Sequence, residues 1–401
     1  MPRKTRVLFI PYFRGIPSHL ITLLKLYQRL DAERYEAAFY LPRHAGGNGS
    51  APASDEVTRF FYGGEFYDRI GVPILDVDMK VPVSSDLAAY ERFKPDLIID
   101  DCSLSTGLVR RMRKVPRVTL LRTTFSESGS RDARHKHSVD QAIEALREGS
   151  PSHFRVPQRL QDYCEAEVEV VPGVRSIEAP EHAADPRGRP FFAGPLLLDE
   201  REETIFQSPR LQAFFDRNLG TRRIAYITFG AIAVKKAPIK LVDCFRHLFE
   251  TGFAVVTNVA PAHEDFDVLT RAHGDRYICS RFLPMHYVCS RADLMIHVSS
   301  SGMYHYPLLH RKPAITLGTQ CYDREGTART MESLGLSRHV PAPEEADRFT
   351  TLFREAVASF LEARYPFDRS LPQRFEPVGT ELDAAARQFE IDRVVQAALA
   401  A

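Results

Sequence analysis

A short run of small polar residues that begins where an apolar segment ends is the most informative feature of this sequence. The apolar segment 293–297 ends in His297, the turn 299–302 reads Ser-Ser-Ser-Gly, and a helical segment comes next. In such a strand, turn and helix, backbone N–H groups and the positive end of the helix dipole point at the turn. A second apolar run, 314–317, returns directly afterwards. The turn should therefore lie at the carboxyl edge of a parallel sheet, where phosphate groups bind.

The wider stretch 282–328 resembles the nucleotide-sugar signature of the GT-B glycosyltransferases of the UGT and antibiotic, or natural-product, type. Members show a (W/F)-x-P segment, then H-x-G-x-G-(S/T)-x-x-E, then a proline, and then D-Q. Here Phe282-Leu283-Pro284 matches the first part, His297 opens the second, and Asp323-Arg324 stands at the last. The alternative is an ordinary βαβ unit of an unrelated α/β protein.

The resemblance implies donor-binding roles for the residues that match its motifs. His297 would hydrogen-bond a phosphate, the small residues after it would wrap the diphosphate, and Phe282 would lie beside the nucleobase. Arg324 departs from the family's Gln, and Ala231 stands where a hydroxyl residue would follow Gly230. The full set of implied donor-binding residues is Gly230, Phe282, Leu283, His297, Ser300, Ser301, Gly302, Met303, Tyr306, Asp323 and Arg324.

The family's Glu that accepts hydrogen bonds from the ribose hydroxyls has no counterpart here. Counting from His297 without a gap places His305 at that position, and one inserted residue, which the position of Pro313 favours, places Tyr306 there. Neither residue is a carboxylate. Either the nucleoside is held differently, or the donor has no full ribose. A donor with a deoxyribose, such as a dTDP-sugar, would need that Glu less, and we hold this as a hypothesis.

The resemblance also implies a general base in the first half of the chain. His19 begins the first predicted helix and aligns with the family's catalytic histidine when the helix ends are matched at Arg29-Leu30. Histidine suits the removal of a proton from an acceptor hydroxyl because its ordinary pKa is near neutrality. Asp101 would hold the imidazole in its useful tautomer, and Asp100 is the less favoured neighbour. The alternative is that His19 only caps a helix.

Composition and charge exclude several classes of protein. The chain has 401 residues, 44% hydrophobic and 26% charged, which is typical of a globular protein with two domains. Its 53 Lys and Arg nearly balance 52 Asp and Glu, which argues against a nucleic-acid partner. Six cysteines without a C-x-x-C pair indicate neither a zinc site nor disulfides, so a cytoplasmic location fits best. No apolar run predicts a membrane span, and the N-terminus is typical of a strand rather than of a signal peptide.

Alternating strands and helices predict an α/β fold with two Rossmann-like domains facing a central cleft, the GT-B arrangement. Residues 1–200 would form an acceptor-binding domain, 201–222 a linker, and 223–370 the nucleotide-sugar domain. Helical periodicity predicts a C-terminal helix within 371–401, and the resemblance implies that it crosses back to the first domain.

Asp76-Val77-Asp78 has the D-x-D pattern of metal-binding glycosyltransferases, but we expect it to be a turn.

These observations together predict a metal-independent glycosyltransferase that moves a hexosyl or deoxyhexosyl group, with inversion, from a dTDP- or UDP-sugar to a small natural-product acceptor. The nucleotide sugar would be a co-substrate, with no cofactor, and a homodimer is left open. Two alternatives remain: a nucleotide-sugar 2-epimerase, or a degenerate member that binds nucleotide or activates a partner glycosyltransferase. No P-loop motif is present, and no G-x-G-x-x-G follows the first strand, which disfavours P-loop ATPases and dehydrogenases.

Overall fold

The computed structural model describes most of the chain and divides it into two compact units. The described residues are 3–11, 17–43, 74–78, 82–101, 103–120, 163, 165–178, 190–229, 238–300, 302–319, 322–343 and 347–401. The first unit comprises Met1–Val174, Glu181–Leu197 and Ala385–Ala401. The second comprises Arg175–Pro180 and Leu198–Ala384. Segment 201–222, predicted as a linker, thus lies within the second unit.

The first unit is built on a parallel sheet of seven strands in the order β3-β2-β1-β4-β5-β6-β7. The strands are β1 Thr5–Ile10, β2 Tyr35–Arg43, β3 Ile74–Asp78, β4 Leu97–Asp100, β5 Arg117–Leu120, β6 Val168–Val171 and β7 Phe191–Phe192. In the described part of this unit the helices are α1 Pro17–Tyr27, α2 Pro82–Phe93, α3 Leu104–Arg113 and, at the C-terminus, α13 Ile391–Ala400. The strand order reverses between β1 and β4, and ligands of doubly wound sheets bind at the carboxyl ends of such a pair.

The second unit repeats this plan with a parallel sheet of six strands in the order β10-β9-β8-β11-β12-β13. The strands are β8 Ile224–Ile227, β9 Ala254–Thr257, β10 Tyr277–Cys279, β11 Leu294–Val298, β12 Ala314–Leu317 and β13 Ser337–Val340. The described helices are α4 Arg175–Glu178, α5 Pro209–Asn218, α6 Pro238–Glu250, α7 Glu264–Ala272, α8 Met285–Arg291, α9 His305–Leu309, α10 Tyr322–Ser333, α11 Phe349–Leu361 and α12 Leu371–Gln388. The last residues of α12, 385–388, belong to the first unit. Two 3₁₀ turns, Glu202–Phe206 and Gly274–Arg276, complete it. The strand order reverses between β8 and β11.

The central strands read as continuous apolar runs because both faces of a parallel sheet are covered by helices. Every side chain of β8, β9, β11 and β12 is buried. Burial of each Val, Leu or Ile contributes about 1.5–3 kcal/mol. These strands therefore form a rigid base from which the polar residues at their carboxyl ends project.

Three local predictions differ from the structure. Asp76-Val77-Asp78, predicted as a turn, forms the end of β3, which pairs with β2 at the edge of the sheet that the described strands form. The predicted loop at Asp323-Arg324 is instead the first turn of α10. The predicted C-terminal helix is two helices, α12 and α13, which meet at Phe389-Glu390.

The last helix packs on the first unit. Asp392 of α13 forms an ion pair with Arg34, and Gln396 Nε2 donates to Tyr35 Oη at 3.4 Å. The Arg29 guanidinium lies over the Phe389 ring, 5.4 Å from its centroid. No helix in the described part of the chain is long and apolar enough to cross a membrane.

Candidate active site

His19 and Asp101 lie together where β1 and β4 end in the first unit. The Asp101 N–H donates to the carbonyl of Ile10, the last residue of β1, at 3.2 Å. The carboxylate reaches the ring of His19, with 2.5 Å between Nδ1 and Oδ2. Asp101 is fully buried and the His19 side chain is 12% exposed. The predicted pair is therefore in direct contact, at the edge where a ligand is expected.

The contact fixes which nitrogen of His19 carries the proton. An ionised carboxylate only accepts hydrogen bonds, so Nδ1 must donate to Asp101. In the neutral ring Nε2 then has the free lone pair and can accept a proton. This is the arrangement that a general base for a hydroxyl requires.

Asp100, the other candidate partner, is used in a different way. Its carboxylate receives Arg117 Nε at 2.7 Å and Nη2 at 2.8 Å, and both side chains are fully buried. The Ser103 N–H also donates to Asp100, at 2.5 Å, and the Ser103 hydroxyl caps α3 at Thr106 N. A bidentate pair offsets the cost of burying two charges. Asp100 and Arg117 therefore hold the backbone turn from which Asp101 projects.

In the second unit His297 lies near the end of β11, beside the point where the strand order reverses. It is fully buried, and Nδ1 lies 3.2 Å from the Val298 carbonyl oxygen. A carbonyl only accepts, so Nδ1 carries the proton in this contact. Nε2 has no hydrogen-bond partner among the described residues. Burial lowers the pKa of His297 to about 4, so the ring is neutral near pH 7.

The turn after His297 has the predicted order of strand, turn and helix. The Met303 and Tyr304 N–H groups donate to the Ser300 carbonyl at 2.8 and 3.1 Å, and α9 begins two residues after Met303. The Ser299 hydroxyl is buried and has no hydrogen-bond partner among the described residues. Gly302 and Met303 are half-buried. The predicted phosphate-binding residues Gly230 and Ser301 lie outside the described residues.

His305 and Tyr306, the two candidates for the position of the family's ribose-binding Glu, are both buried. His305 packs its ring on Tyr304, with 4.0 Å between the ring centroids. The Tyr306 hydroxyl donates to Glu203 Oε1 at 2.9 Å. A carboxylate thus lies beside the Tyr306 position, but it comes from the 3₁₀ turn Glu202–Phe206. The sequence prediction did not identify Glu203.

The aromatic position implied for the nucleobase also contacts this 3₁₀ turn. Phe282 stacks on Phe206 with 5.3 Å between centroids and 23° between ring planes. The Ser280 hydroxyl donates to the Phe282 carbonyl at 2.7 Å, and Leu283 is buried. Phe282 is therefore held on one side by Phe206, in the segment before α5.

The residues predicted to bind sugar hydroxyls lie in the first turn of α10, after β12. The Asp323 side chain lies outside the described residues, and Arg324 is half-buried. Their neighbour Glu325 accepts the Thr319 N–H at 2.5 Å and contacts His339 Nε2 at 3.1 Å. Glu325 and His339, which the sequence prediction did not single out, therefore fix the path of the chain between β12 and α10.

Gly318, next to this junction, leaves no room for a side chain. A Cβ atom there would lie 2.3 Å from the Ala342 nitrogen and 2.7 Å from the Pro341 carbonyl carbon, both backbone atoms. Gly318→Ala should therefore destabilise the protein by about 1–3 kcal/mol, the usual cost of overpacking. Thermal unfolding measures this, with Gly379→Ala as the control because a Cβ at Gly379 meets nothing within 4 Å. A melting temperature for Gly318→Ala equal to that of the control would contradict the prediction.

Comparison with known proteins supports this fold and not a sequence family. No family profile and no curated protein matches the sequence. Solved structures do match over nearly the whole chain. A kitacinnamycin glycosyltransferase is 15% identical, with a TM-score of 0.68 and coverage of 99% of this chain and 100% of that one.

Two further structures agree with the first. The spinosyn rhamnosyltransferase SpnG, complexed with thymidine diphosphate, is 16% identical, with a TM-score of 0.64 and coverage of 98% and 100%. A UDP-glucosyltransferase from Polygonum tinctorium is 13% identical, with a TM-score of 0.67 and coverage of 99% of both chains. The predicted α/β fold with two Rossmann-like units is confirmed: it is the GT-B fold of natural-product glycosyltransferases.

Proposed function

We propose that this chain is an inverting glycosyltransferase that moves a sugar from a nucleoside-diphosphate sugar to a hydroxyl of a small-molecule, natural-product acceptor. The contact between His19 and Asp101 carries the proposal, because it makes a base of the required tautomer at a strand end where ligands bind. A protein that only bound nucleotide or activated a partner would not need this pair.

On the acceptor side, His19 Nε2 takes the proton from the acceptor hydroxyl as its oxygen attacks the anomeric carbon of the sugar. Asp101 keeps the proton on Nδ1 before the reaction and stabilises the imidazolium that forms. The nucleoside diphosphate leaves from the opposite face of that carbon. A single displacement of this kind inverts the anomeric configuration.

On the donor side, the turn after β11 receives the diphosphate through backbone N–H groups, and we propose that no metal is required there. In this structure the single proton of the neutral His297 ring lies on Nδ1, towards the Val298 carbonyl. His297 would donate to a phosphate oxygen when this proton moves to Nε2, a change of tautomer that needs no added proton. His297 would therefore bind the leaving group as a neutral imidazole.

Two observations favour a thymidine nucleotide in the donor. Tyr306 itself has no carboxylate to accept a hydrogen bond from a ribose 2′-hydroxyl. The carboxylate beside it, that of the buried Glu203, already accepts a hydrogen bond from the Tyr306 hydroxyl. Among the similar structures, SpnG was solved with thymidine diphosphate and also with the spinosyn aglycone. We propose a dTDP-sugar as the donor and a small aglycone as the acceptor.

The test is a transfer assay with a panel of dTDP- and UDP-sugars against hydroxyl-bearing aglycones. Mass spectrometry should detect a glycosylated acceptor, and NMR should show an anomeric configuration opposite to that of the donor. UDP should compete less well than dTDP. A retained configuration would contradict inversion, and better competition by UDP would contradict the donor assignment. Nucleotide binding without transfer to any acceptor would favour the binding-only alternative.

A further inference from the structure

Segment 198–206, which lies between the two sheets in the sequence, contacts residues 282–286, the stretch implied to hold the nucleobase. The carboxylate of Glu203, in this segment, accepts two hydrogen bonds. Glu203 Oε2 accepts the N–H of His286, in the first turn of α8, at 2.7 Å. Glu203 Oε1 accepts the Tyr306 hydroxyl, from α9, at 2.9 Å. Glu203 is only 3% exposed. Its carboxylate therefore joins the starts of two helices at a place that water barely reaches.

The His286 side chain completes this junction. Nε2 lies 3.1 Å from the Leu198 carbonyl oxygen, and Nδ1 lies 2.9 Å from His310 Nε2. A carbonyl only accepts, so Nε2 of His286 donates to Leu198, and Nδ1 accepts from His310. Burial lowers the pKa of both rings, which fits this neutral arrangement. Segment 198–206 thus contacts His286 through both its backbone and its side chain.

The stacking of Phe206 on Phe282 extends the junction to the aromatic residue itself. Residues 282–286 are therefore held at one end by an aromatic pair and at the other by the carboxylate of Glu203. If the nucleobase lies on Phe282 and Leu283, its position depends on contacts that segment 198–206 makes.

We propose that Glu203 is a positioning residue for the nucleobase-binding segment 282–286, acting through the His286 N–H and the Tyr306 hydroxyl. The proposal rests on the proposed function, since it concerns the donor site of that reaction. In this proposal Glu203 acts through these two donors and not by direct contact with the nucleotide. Its buried hydrogen bonds would position the donor-binding residues, a role that a ribose-binding Glu would otherwise share.

Protonation of Glu203 should weaken its hold on segment 282–286. An ionised carboxylate accepts from both donors, whereas a protonated one carries a hydrogen on one oxygen and opposes the donor that faces it. Burial, followed by Glu200 and Asp199, raises the pKa of Glu203 to about 7, against the His286 and Tyr306 hydrogen bonds, which lower it. Among the described residues, Cys289 of α8 also lies near Glu203, while His310, Lys312 and Tyr226 lie near its neighbours His286, Cys289 and Tyr306. Donor affinity should therefore fall as the pH falls through about 7.

The experiment is a calorimetric titration of dTDP-glucose from pH 6 to pH 9. This probe is chosen because its phosphodiester groups do not titrate in that range. We expect roughly tenfold weaker binding at pH 6 than at pH 8 for the native chain, the effect of losing a hydrogen bond to a charged group. Glu203→Gln should bind roughly tenfold more weakly at pH 8 and show no inflection near pH 7. In the transfer assay it should raise KM for the donor and leave kcat nearly unchanged.

Two further variants distinguish positioning from a purely structural role. Tyr306→Phe removes a hydrogen bond that lowers the pKa of Glu203, so it should move the inflection to higher pH. Glu200→Gln changes an exposed carboxylate of the same segment and should keep an inflection. Equal pH profiles for the native chain, Glu203→Gln and Tyr306→Phe would overturn the proposal. Failure of the native chain to bind dTDP-glucose or UDP-glucose at any pH would overturn the proposed function, and this inference with it.

Discussion

Replacing Asp101 by Asn should lower the rate of sugar transfer by about 10³- to 10⁴-fold, the effect of the same change in hydrolases that use a buried Asp beside a catalytic His. The carboxylate requires the proton on Nδ1 of His19, whereas an amide can donate to that nitrogen and move the proton to Nε2. His19 Nε2 would then have no lone pair for the acceptor hydroxyl. Asp101 is fully buried, so water cannot replace the lost carboxylate.

A double-mutant cycle with His19→Ala shows whether the two residues act as one unit. His19→Ala alone should reduce the rate about as much as Asp101→Asn does, and the double variant should be little slower than either. Steady-state transfer kinetics at saturating donor give the three rates. Effects that multiply in the double variant would mean that the two residues act independently, against the role we assign to Asp101.

Replacing Arg117 by Met should destabilise the first unit by about 3–5 kcal/mol, because it leaves the buried Asp100 charge without its partner. Arg117 also donates to the carbonyls of Tyr163, Ser103 and Glu165 at 2.5, 3.0 and 3.2 Å, so these acceptors lose a donor as well. The free energy of unfolding in urea measures the effect. The turn that bears Asp101 should also lose its geometry, so transfer should slow.

The matched control is Arg113→Met, at the end of α3. Arg113 pairs with Glu91 at 2.6 Å, but both side chains are more than a third exposed, so this pair should contribute less than about 1 kcal/mol. The double variant Asp100→Asn with Arg117→Met removes both charges and should recover part of the lost stability. Equal losses for Arg113→Met and Arg117→Met would contradict the assignment of Arg117 as the support of this turn.

The elements that position the site could be predicted because their sequences are locally unambiguous. The runs that became β1, β8, β11 and β12 are short, apolar and bounded by turn residues, as buried parallel strands are. The position of His297 and of the turn after it followed from that pattern. The choice of Asp101 over Asp100 depended on the family resemblance, since neighbouring carboxylates on a strand end look alike in sequence.

The features that were missed depend on contacts between distant residues. Glu203 lies 103 positions from Tyr306, and no periodicity connects them. A local signal did exist: Asp199 and Glu202 form a capping box, with the Glu202 N–H on Asp199 at 2.9 Å and the Asp199 N–H on Glu202 at 2.8 Å. This D-x-x-E pattern marks the start of an ordered turn at the edge of the segment that the family resemblance presents as a linker.

The error at Asp76-Val77-Asp78 has a different cause. Alternating carboxylates are typical of loops and metal motifs, but they also suit an edge strand, where charge discourages pairing with other chains. β3 is such a strand. Position in the sheet, which the local sequence does not contain, decides between these interpretations.

A calorimetric titration of dTDP into the native chain, His297→Ala and Asp101→Asn shows whether the turn after β11 binds a nucleotide. We expect roughly micromolar binding to the native chain, within the usual range for such substrates. His297→Ala should bind at least about tenfold more weakly, since a hydrogen bond to a charged phosphate is lost, and Asp101→Asn should bind as the native chain does. Binding to His297→Ala that equals native binding, or no binding of dTDP or UDP to the native chain, would contradict a nucleotide-sugar site at the turn after β11.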